Sequence, residues 1–349
     1  MEEKLYHYSQ SLEAVKRVIS FYESFESTLA GKSSRKSRYI RIITDEYLSV
    51  KSEQRILLYK GIIISIYGAW ESFVRGVVVQ YATSRFLRKQ NYPDYPKEFK
   101  VSYVNKYMEH LSRQSGEWKS SEKCQELIGE IYNGISGQGC FINEDVFFKN
   151  YANYRISIIN DLSTIVGIGN VSSRIMSLDK FKNYMSNEDD SYGSIKNQEL
   201  RHRLAYKNLE DLVEERNTVA HGKGTLTLMS SELLLKKVEY FMLLGECLVN
   251  VFQDELVLNG ECCQEDLTYI EKISGNMAMF KINSIVKKGD KLTVIKGDGK
   301  CCEREILCML DASESEIEQA LSSMIISIKF ESKVKQDWKF YKKIQPSAQ

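Results

Sequence analysis

The sequence predicts a mainly α protein: a helical bundle carrying an inserted helical segment, followed by a small β-barrel-like domain. Three observations predict it. Proline is rare, 3 in 349 residues, against an average of about 5%, and this favours long uninterrupted helices. From residue 1 to residue 258 apolar side chains recur mostly every three or four positions, the period of an amphipathic helix. Beyond Asn259-Gly260 the pattern shortens to brief apolar runs between turn signals, as in short strands. The domains expected are therefore 1–258 and 262–349.

Composition narrows the function. With 48 Lys and Arg against 47 Asp and Glu, the formal charge is +1. That excludes a strongly basic, histone-like protein and an acidic solvating tail, while leaving room for a local basic patch. The start, Met1-Glu2-Glu3-Lys4, lacks the cationic-then-apolar pattern of a secretion signal. The longest apolar run, Gly61–Trp70, is about half of the ~20 residues a membrane span needs, and it reads as an enclosed helix. A cytoplasmic protein with no membrane contact is expected. The eight cysteines are then expected as reduced thiols. Cys262-Cys263, Cys301-Cys302 and Cys308 lack the C-x2-C spacing with a matching second half that zinc sites use, so neither a metal nor a cofactor is expected.

Each element follows in order. Leu5, Tyr8, Leu12, Val15, Ile19, Tyr22 and Phe25 make one stripe on a first helix, Glu3–Leu29, broken by Gly31-Lys32-Ser33-Ser34. A second, long helix is expected over Glu53–Lys89, with Ser52 as its cap. It is apolar nearly all round except for Lys60, Tyr67, Glu71 and Arg75, which share one stripe. Two readings of that stripe stay open: a solvent edge with a Glu71–Arg75 ion pair, or a polar strip lining a site or a subunit contact. Pro93 and Pro96 end the helix. Residues 90–140 form the insertion, with short helices over Val101–Leu111 and Lys119–Ile135 and a glycine-rich break at Gly134–Gly139. Further helices are expected over Asp145–Val166, Gln198–Ala220 and Ser231–Leu256, with an exposed loop over 186–198. In the second domain, strands are expected at Ala278–Ile282, Lys291–Ile295, Ile306–Leu310 and Ile325–Phe330, with a helix over Ser313–Ser322 between the last two.

The segment Arg216-Asn217-Thr218-Val219-Ala220-His221-Gly222 carries the chemistry. Leu209, Leu212, Val213, Arg216 and Ala220 fall on one face, so a permanent cation sits in an apolar stripe, which is costly unless something pairs with it. Gly222 is a natural left-handed helix stop. His221 then lies in the last turn, where the carbonyl end of the helix favours positive charge. An arginine fork matches two phosphate oxygens, and a histidine can take or give a proton near neutral pH. The plain alternative has Arg216 paired with Glu71 or Glu215 and His221 merely capping the helix.

This heptapeptide resembles the R-x4-6-H signature of the HEPN superfamily, in which a polar residue commonly follows the arginine. Ile66-Tyr67-Gly68-Ala69-Trp70-Glu71-Ser72-Phe73-Val74 resembles that superfamily's core helix, including its acidic position. The resemblance covers roughly 1–258. It implies a helical bundle that dimerises and a metal-independent endoribonuclease in which the RNA's own 2′-hydroxyl attacks. By the same resemblance, Arg216 would hold the scissile phosphate, His221 would act as general acid and base, Asn217 would orient them, and Glu71 would assist. It implies a toxin or antiviral-defence effector acting on tRNA or mRNA, with an antitoxin or defence-system partner, or else a noncatalytic binding module. Arg216 and His221 lie five residues apart, roughly 140° around a helix. One copy converges them poorly, which points to a cleft shared by a homodimer or higher oligomer.

In the second domain, Val286–Val294, with its Lys288-Gly289-Asp290 turn, and Ile326–Phe330 with Val334–Trp338 resemble the second β-barrel of translational GTPases. Lys335-Gln336-Asp337 replaces the glycine of the second turn, and no G-x4-G-K-[ST] segment is present. The resemblance implies contact with tRNA or ribosome; a generic barrel for protein contacts is the simpler reading. A third class, a cysteine- or metal-dependent enzyme using Cys301, Cys302 and Cys308, is the least supported. Basic residues between Lys32 and Arg41 and between Arg85 and Lys89 are candidate phosphate trackers.

Overall fold

The chain's most apolar stretch becomes the axis of its first unit. The computed structural model describes residues 1–30, 38–86, 97–136, 138, 143–148, 151–222, 227–258, 266–296 and 301–342. It divides into two compact units, Met1–Val251 and Phe252–Gln349. The first unit opens with α1 (Glu2–Ala30) and α2 (Arg38–Phe86), which pack on each other. Along α2, Ile62, Ile63, Ile66, Trp70, Val74, Val77 and Tyr81 are buried, the all-round burial of an enclosed helix. Among the described residues one helix, Thr44–Arg85, is long and apolar enough to cross a membrane, yet 56% of its most apolar window is buried inside the fold.

Helix α2 starts at Arg38, well before Ser52, which is no cap: its hydroxyl donates to Glu53 Oε2 at 2.9 Å in mid-helix. No glycine or proline interrupts residues 38–52, and tertiary contact extends the helix. The Tyr47 hydroxyl reaches Tyr22 Oη at 2.9 Å and Glu26 Oε1 at 2.8 Å on α1. Arg85 is no phosphate tracker. It is buried, donating to Tyr81 Oη at 2.9 Å and to the Val166 carbonyl at 3.3 Å. The candidate trackers at 32–37 and 88–89, the Pro93 and Pro96 turn and Cys140 lie outside the described residues.

Next come α3 (Lys97–Ser112), α4 (Gly116–Lys119), α5 (Glu122–Ser136) and α6 (Glu144–Phe147). Gly134 lies inside α5, not in a break, and a Cβ there would lie 2.7 Å from the Tyr103 hydroxyl and 2.9 Å from its ring. The expected helix over Asp145–Val166 is two helices. Between α6 and α7 (Ile156–Ile165) the chain over 151–155 is neither helix nor strand, with Asn153 left-handed at φ 55°. Its backbone there is claimed by α2: Trp70 Nε1 donates to the Tyr154 carbonyl at 3.1 Å, and the Tyr154 N–H donates to Tyr67 Oη at 3.2 Å. α8 (Val171–Ser177) and α9 (Asp179–Glu188) follow. The expected loop over 186–198 is exposed for most of its length, but it holds a short 3₁₀ turn at Tyr192–Ser194 whose tyrosine is buried.

The expected helix Gln198–Ala220 is also split, into α10 (Gln198–Ala205) and α11 (Lys207–His221). Asn197 caps the first, its Oδ1 accepting from the N–H groups of Glu199 and Leu200 at 2.9 and 3.0 Å. Tyr206 marks the break, its hydroxyl donating to the Ser172 carbonyl at 2.7 Å. The last helix, α12 (Ser231–Leu258), supplies Val238, Phe241, Leu244 and Leu248 to the core. Gly245 permits its close approach to α1, because a Cβ there would lie 2.5 Å from the Tyr8 ring. The Tyr8 hydroxyl closes the joint on the Phe241 carbonyl at 3.0 Å.

The second unit contains β1 (Leu267–Lys272), β2 (Met277–Ile282), β3 (Val286–Lys287), β4 (Lys291–Ile295), β5 (Cys301–Leu310), β6 (Gln319–Ala320), β7 (Ile325–Phe330) and β8 (Lys339–Lys342). Six of them close an antiparallel barrel in the order β1-β2-β7-β5-β4-β8, with β3 and β6 paired separately. Phe280, Phe330 and Phe340 fill its interior, the last two stacked at 5.5 Å. The Lys288-Gly289-Asp290 turn forms with Gly289 at φ 84°. The expected helix over Ser313–Ser322 does not form. Asp311 Oδ1 takes the N–H groups of Ser313 and Ser315 at 2.8 and 3.0 Å, Glu314 is left-handed at φ 59°, and the chain turns into β6 instead.

Candidate functional site

The part of α11 before the motif, Lys207–Glu215, is anchored on several sides. Leu209, Leu212 and Val213 are buried, and α11 packs on α2. On the flanks, Arg155 donates to Glu210 Oε2 at 2.5 Å and also pairs with Glu214. Glu215 holds the buried Lys237 of α12 through both oxygens, at 2.8 and 2.7 Å. Its carboxylate also faces Tyr59 of α2, whose phenol is pushed up to about 12 by burial first and by Glu215 second. α11 is thereby tied to three other segments by charge as well as by apolar packing.

The motif begins where this ends. The apolar stripe stops at Val213: Arg216 is half-buried and Ala220 is exposed. Among the described residues, no carboxylate lies within ion-pair distance of Arg216, so the alternative pairing with Glu71 or Glu215 is not what holds it. Instead its guanidinium lies over the Tyr67 ring, 4.9 Å from the centroid, and Nη1 donates to Asn217 Oδ1 at 3.1 Å. A cation on an aromatic face is held in place while its in-plane N–H groups stay available. Asn217 thus orients the arginine directly. His221 is exposed, the last residue of α11, and Gly222 at φ 61° closes the helix.

Glu71 is half-buried one turn beyond Tyr67 on α2. It and Arg216 act on the same phenol in opposite directions. Burial raises Tyr67 above its ordinary value and Glu71 pushes the same way, while the Tyr154 N–H and Arg216 pull it back. Lys60, Tyr67, Glu71 and Arg75 therefore do not form a solvent edge. Tyr67 is fully buried, and the Glu71–Arg75 ion pair is absent among the described residues. Arg75 lies over the Phe148 ring at 5.3 Å, with its Nε sealed from water and unpartnered.

Sequence reasoning missed Tyr154, Phe148, Arg155 and Lys237. Only Lys237 left a signal: it falls on the apolar stripe of α12 between Leu234 and Phe241, where a lone lysine calls for a buried partner. No group of three or more metal-ligating side chains occurs among the described residues. Cys308 is half-buried, its thiol raised by burial and by Glu316. Cys262 and Cys263, and the side chains of Cys301 and Cys302, lie outside the described residues.

No curated protein matches the chain. Among solved structures it is similar to the C-terminal domain of a putative U32 peptidase from Geobacillus thermoleovorans, at 13% identity over 24% of this chain and 91% of that one. The TM-score is 0.21, a likeness too slight to bear on fold or function. The family model described as RiboL-PSP-HEPN matches residues 32–254. Those residues take in α2, with its Tyr67–Arg75 strip, and α11, with its Arg216–His221 end, and on this match the chain belongs to the RiboL-PSP-HEPN family.

Proposed function

We propose that the helical unit is a metal-independent endoribonuclease that works in the cytoplasm as a toxin or antiviral-defence effector. One observation carries the reading: beside Glu210, Glu214 and Glu215, which are engaged elsewhere, Arg216 has no counter-charge among the described residues and is steadied by an aromatic face and an amide. A half-buried guanidinium in that state is set up to take an anion, and the fork of its N–H groups fits two phosphate oxygens. His221, exposed at the helix end, supplies the group that moves the proton.

In this reading the 2′-hydroxyl of the RNA attacks the adjacent phosphorus. The P–O5′ bond breaks, and a 2′,3′-cyclic phosphate and a free 5′-hydroxyl result. An imidazole takes the 2′-proton, and an imidazolium gives one to the departing 5′-oxygen. Arg216 neutralises the charge that grows on the phosphoryl oxygens. Asn217 keeps the guanidinium in plane, and Glu71 steadies it through Tyr67. The five-residue spacing turns the two groups roughly 140° apart on α11, so the cleft is shared with a second copy. DNA lacks the attacking group.

The purified full chain is incubated with tRNA and mRNA in excess EDTA. The expected result is cleavage with cyclic-phosphate ends, lost in Arg216→Ala. A folded, dimeric protein that binds RNA without cutting it would instead make this a noncatalytic scaffold module in a defence or regulatory complex. Cutting that appears only with added zinc would move the chemistry to the cysteines.

A further inference from the structure

One sector of α2 is exposed without being polar. Leu57, Gly61, Ile64 and Gly68 all face outward, Leu57 with 68% and Ile64 with 42% of its surface exposed. No charged side chain falls between Lys60 and Glu71. Gly68 follows Tyr67, the residue beneath Arg216, and Gly61 precedes Ile62, which lines a groove shared with Val15 and Val18 of α1. Successive residues turn by about 100°, so this sector lies between the Arg216 side of α2 and its α1 side. The groove, about 580 Å³, and the exposed Val18 and Phe21 carry the apolar surface on across α1.

The two glycines have no purpose within one copy. Glycine inside a helix is destabilising relative to alanine, and a Cβ at Gly61 or at Gly68 would meet nothing within 4 Å. What their bare backbone admits is a large side chain from outside. The order of the residues says which. Leu57, Gly61, Ile64 and Gly68 follow one another at four, three and four residues, the spacing of a helix-pairing seam. Read backwards, the spacing is the same and large and small change places. An antiparallel second copy therefore sets Leu57 against Gly68 and Ile64 against Gly61 at every step, the self-complementarity that a two-fold contact requires. A parallel copy would set glycine against glycine and leave voids. The area also fits. From Glu53 to Ser72 the face runs about 29 Å, and with α1 beside α2 it is about 20 Å wide. That is roughly 600 Å² per copy before side-chain relief is counted, of the order of the ~800 Å² per partner in a stable interface.

We propose that this face seats the same face of a second copy, antiparallel, with the two-fold axis between Ile62 and Ile63. The inference deepens the shared-cleft reading given above, from which it takes only that the cleft needs a second copy. In this register Tyr67 of one copy is level with Leu58 of the other. The two Tyr67–Arg216 ends then lie nine residues apart along the pair, about 13.5 Å. A two-fold perpendicular to the plane of the two helices keeps both ends on one side of the pair, open to one strand.

The test is the association state of the purified full chain, followed by sedimentation over a range of concentrations. A concentration-dependent dimer is expected. Gly68→Leu fills the place of the facing Leu57 in both copies and should weaken dimerisation about thirtyfold or more. Its monomer has open space for the new side chain and a better helix former, so at dilution it should melt no lower than wild type. Adding Leu57→Ala exchanges large and small and should restore most of the association. Gly61→Leu, relieved by Ile64→Ala, repeats the test at the second pair should Gly68→Leu not fold. A chain that stays monomeric at every concentration overturns the interface, and so does a monomer that binds phosphatidylcholine vesicles through Leu57. Dimers unaffected by Gly61→Leu and Gly68→Leu overturn it too, while cleavage in EDTA by those dimers leaves the Arg216 reading standing. Dissociation that the second substitution does not relieve overturns the antiparallel register. Dimers that break and recover as expected, yet cut no RNA, support the interface and count against the Arg216 reading.

Discussion

The two halves of α11 share a helix and differ in everything else. In the first, three glutamates are answered: Glu210 and Glu214 by Arg155, Glu215 by Lys237 and Tyr59. In the second, Arg216 has only a ring and an amide, and His221 stands in solvent. Satisfied groups set where a helix lies, and unsatisfied ones are free to meet a ligand. The first half fixes the helix so that the second can leave its cation and imidazole uncommitted.

The largest effect is expected from breaking the fixed half. Lys237 is almost wholly buried, with its side chain 3% exposed against 18% for Glu215. Lys237→Met strands a carboxylate and should cost about 3–5 kcal/mol, read as a lower denaturant midpoint. Adding Glu215→Gln removes the stranded charge and should recover part of the loss. Recovery absent in the double variant would show that the lysine acts by packing alone.

Tyr67 of α2 lies beneath the second half and holds the Tyr154 backbone as well, and its two roles can be separated. Tyr67→Phe keeps the ring beneath Arg216 but leaves the Tyr154 N–H without its acceptor. It should lower stability by about 1–3 kcal/mol while sparing RNA affinity. Tyr67→Leu removes the ring as well and should add a several-fold rise in KM, as expected for a cation–π contact of about 0.5–2 kcal/mol. Equal RNA affinity in the two variants would mean that the ring does not hold the arginine.

Arg155→Gln should cost less, below about 1 kcal/mol, because its pairs are open to water. Thermal melts at low and high salt should show the difference from wild type shrinking as salt rises.

Glu26, away from α11, gives the smallest effect. Burial would raise its carboxyl, but the Tyr47 hydroxyl and Lys51 hold it below the ordinary value. The stability it adds is present above the ordinary glutamate value and is lost as pH falls through the lower, folded-state value. Glu26→Gln should flatten the acid limb of the stability–pH curve and leave cleavage at neutral pH unchanged.

What could be read from sequence depended on how far the deciding contact lay along the chain. Gly222 stops α11 by its own backbone freedom, so the helix end and the position of His221 were legible. Four of the six barrel strands, β2, β4, β5 and β7, followed from local alternation and turns, whereas β1 and β8 did not. The break at Tyr206 was not legible, because its cause is a hydroxyl reaching a carbonyl 34 residues away. Nor was the non-helical stretch at Tyr154, whose backbone is claimed by Tyr67 and Trp70, 87 and 84 residues earlier. In the site, the heptapeptide named Arg216, Asn217 and His221, but it left an acidic partner for Arg216 open as the alternative. Local spacing placed Glu215 beside it, and only the fold shows that carboxylate committed to α12.

The central claim is that the open end of α11 is kept open for RNA chemistry. Single-turnover cleavage of one RNA by the full chain in EDTA, wild type against His221→Ala, tests it most directly. The account predicts a loss of about 10²–10⁴-fold with the fold and RNA affinity retained. Cleavage by His221→Ala at the wild-type rate would contradict it.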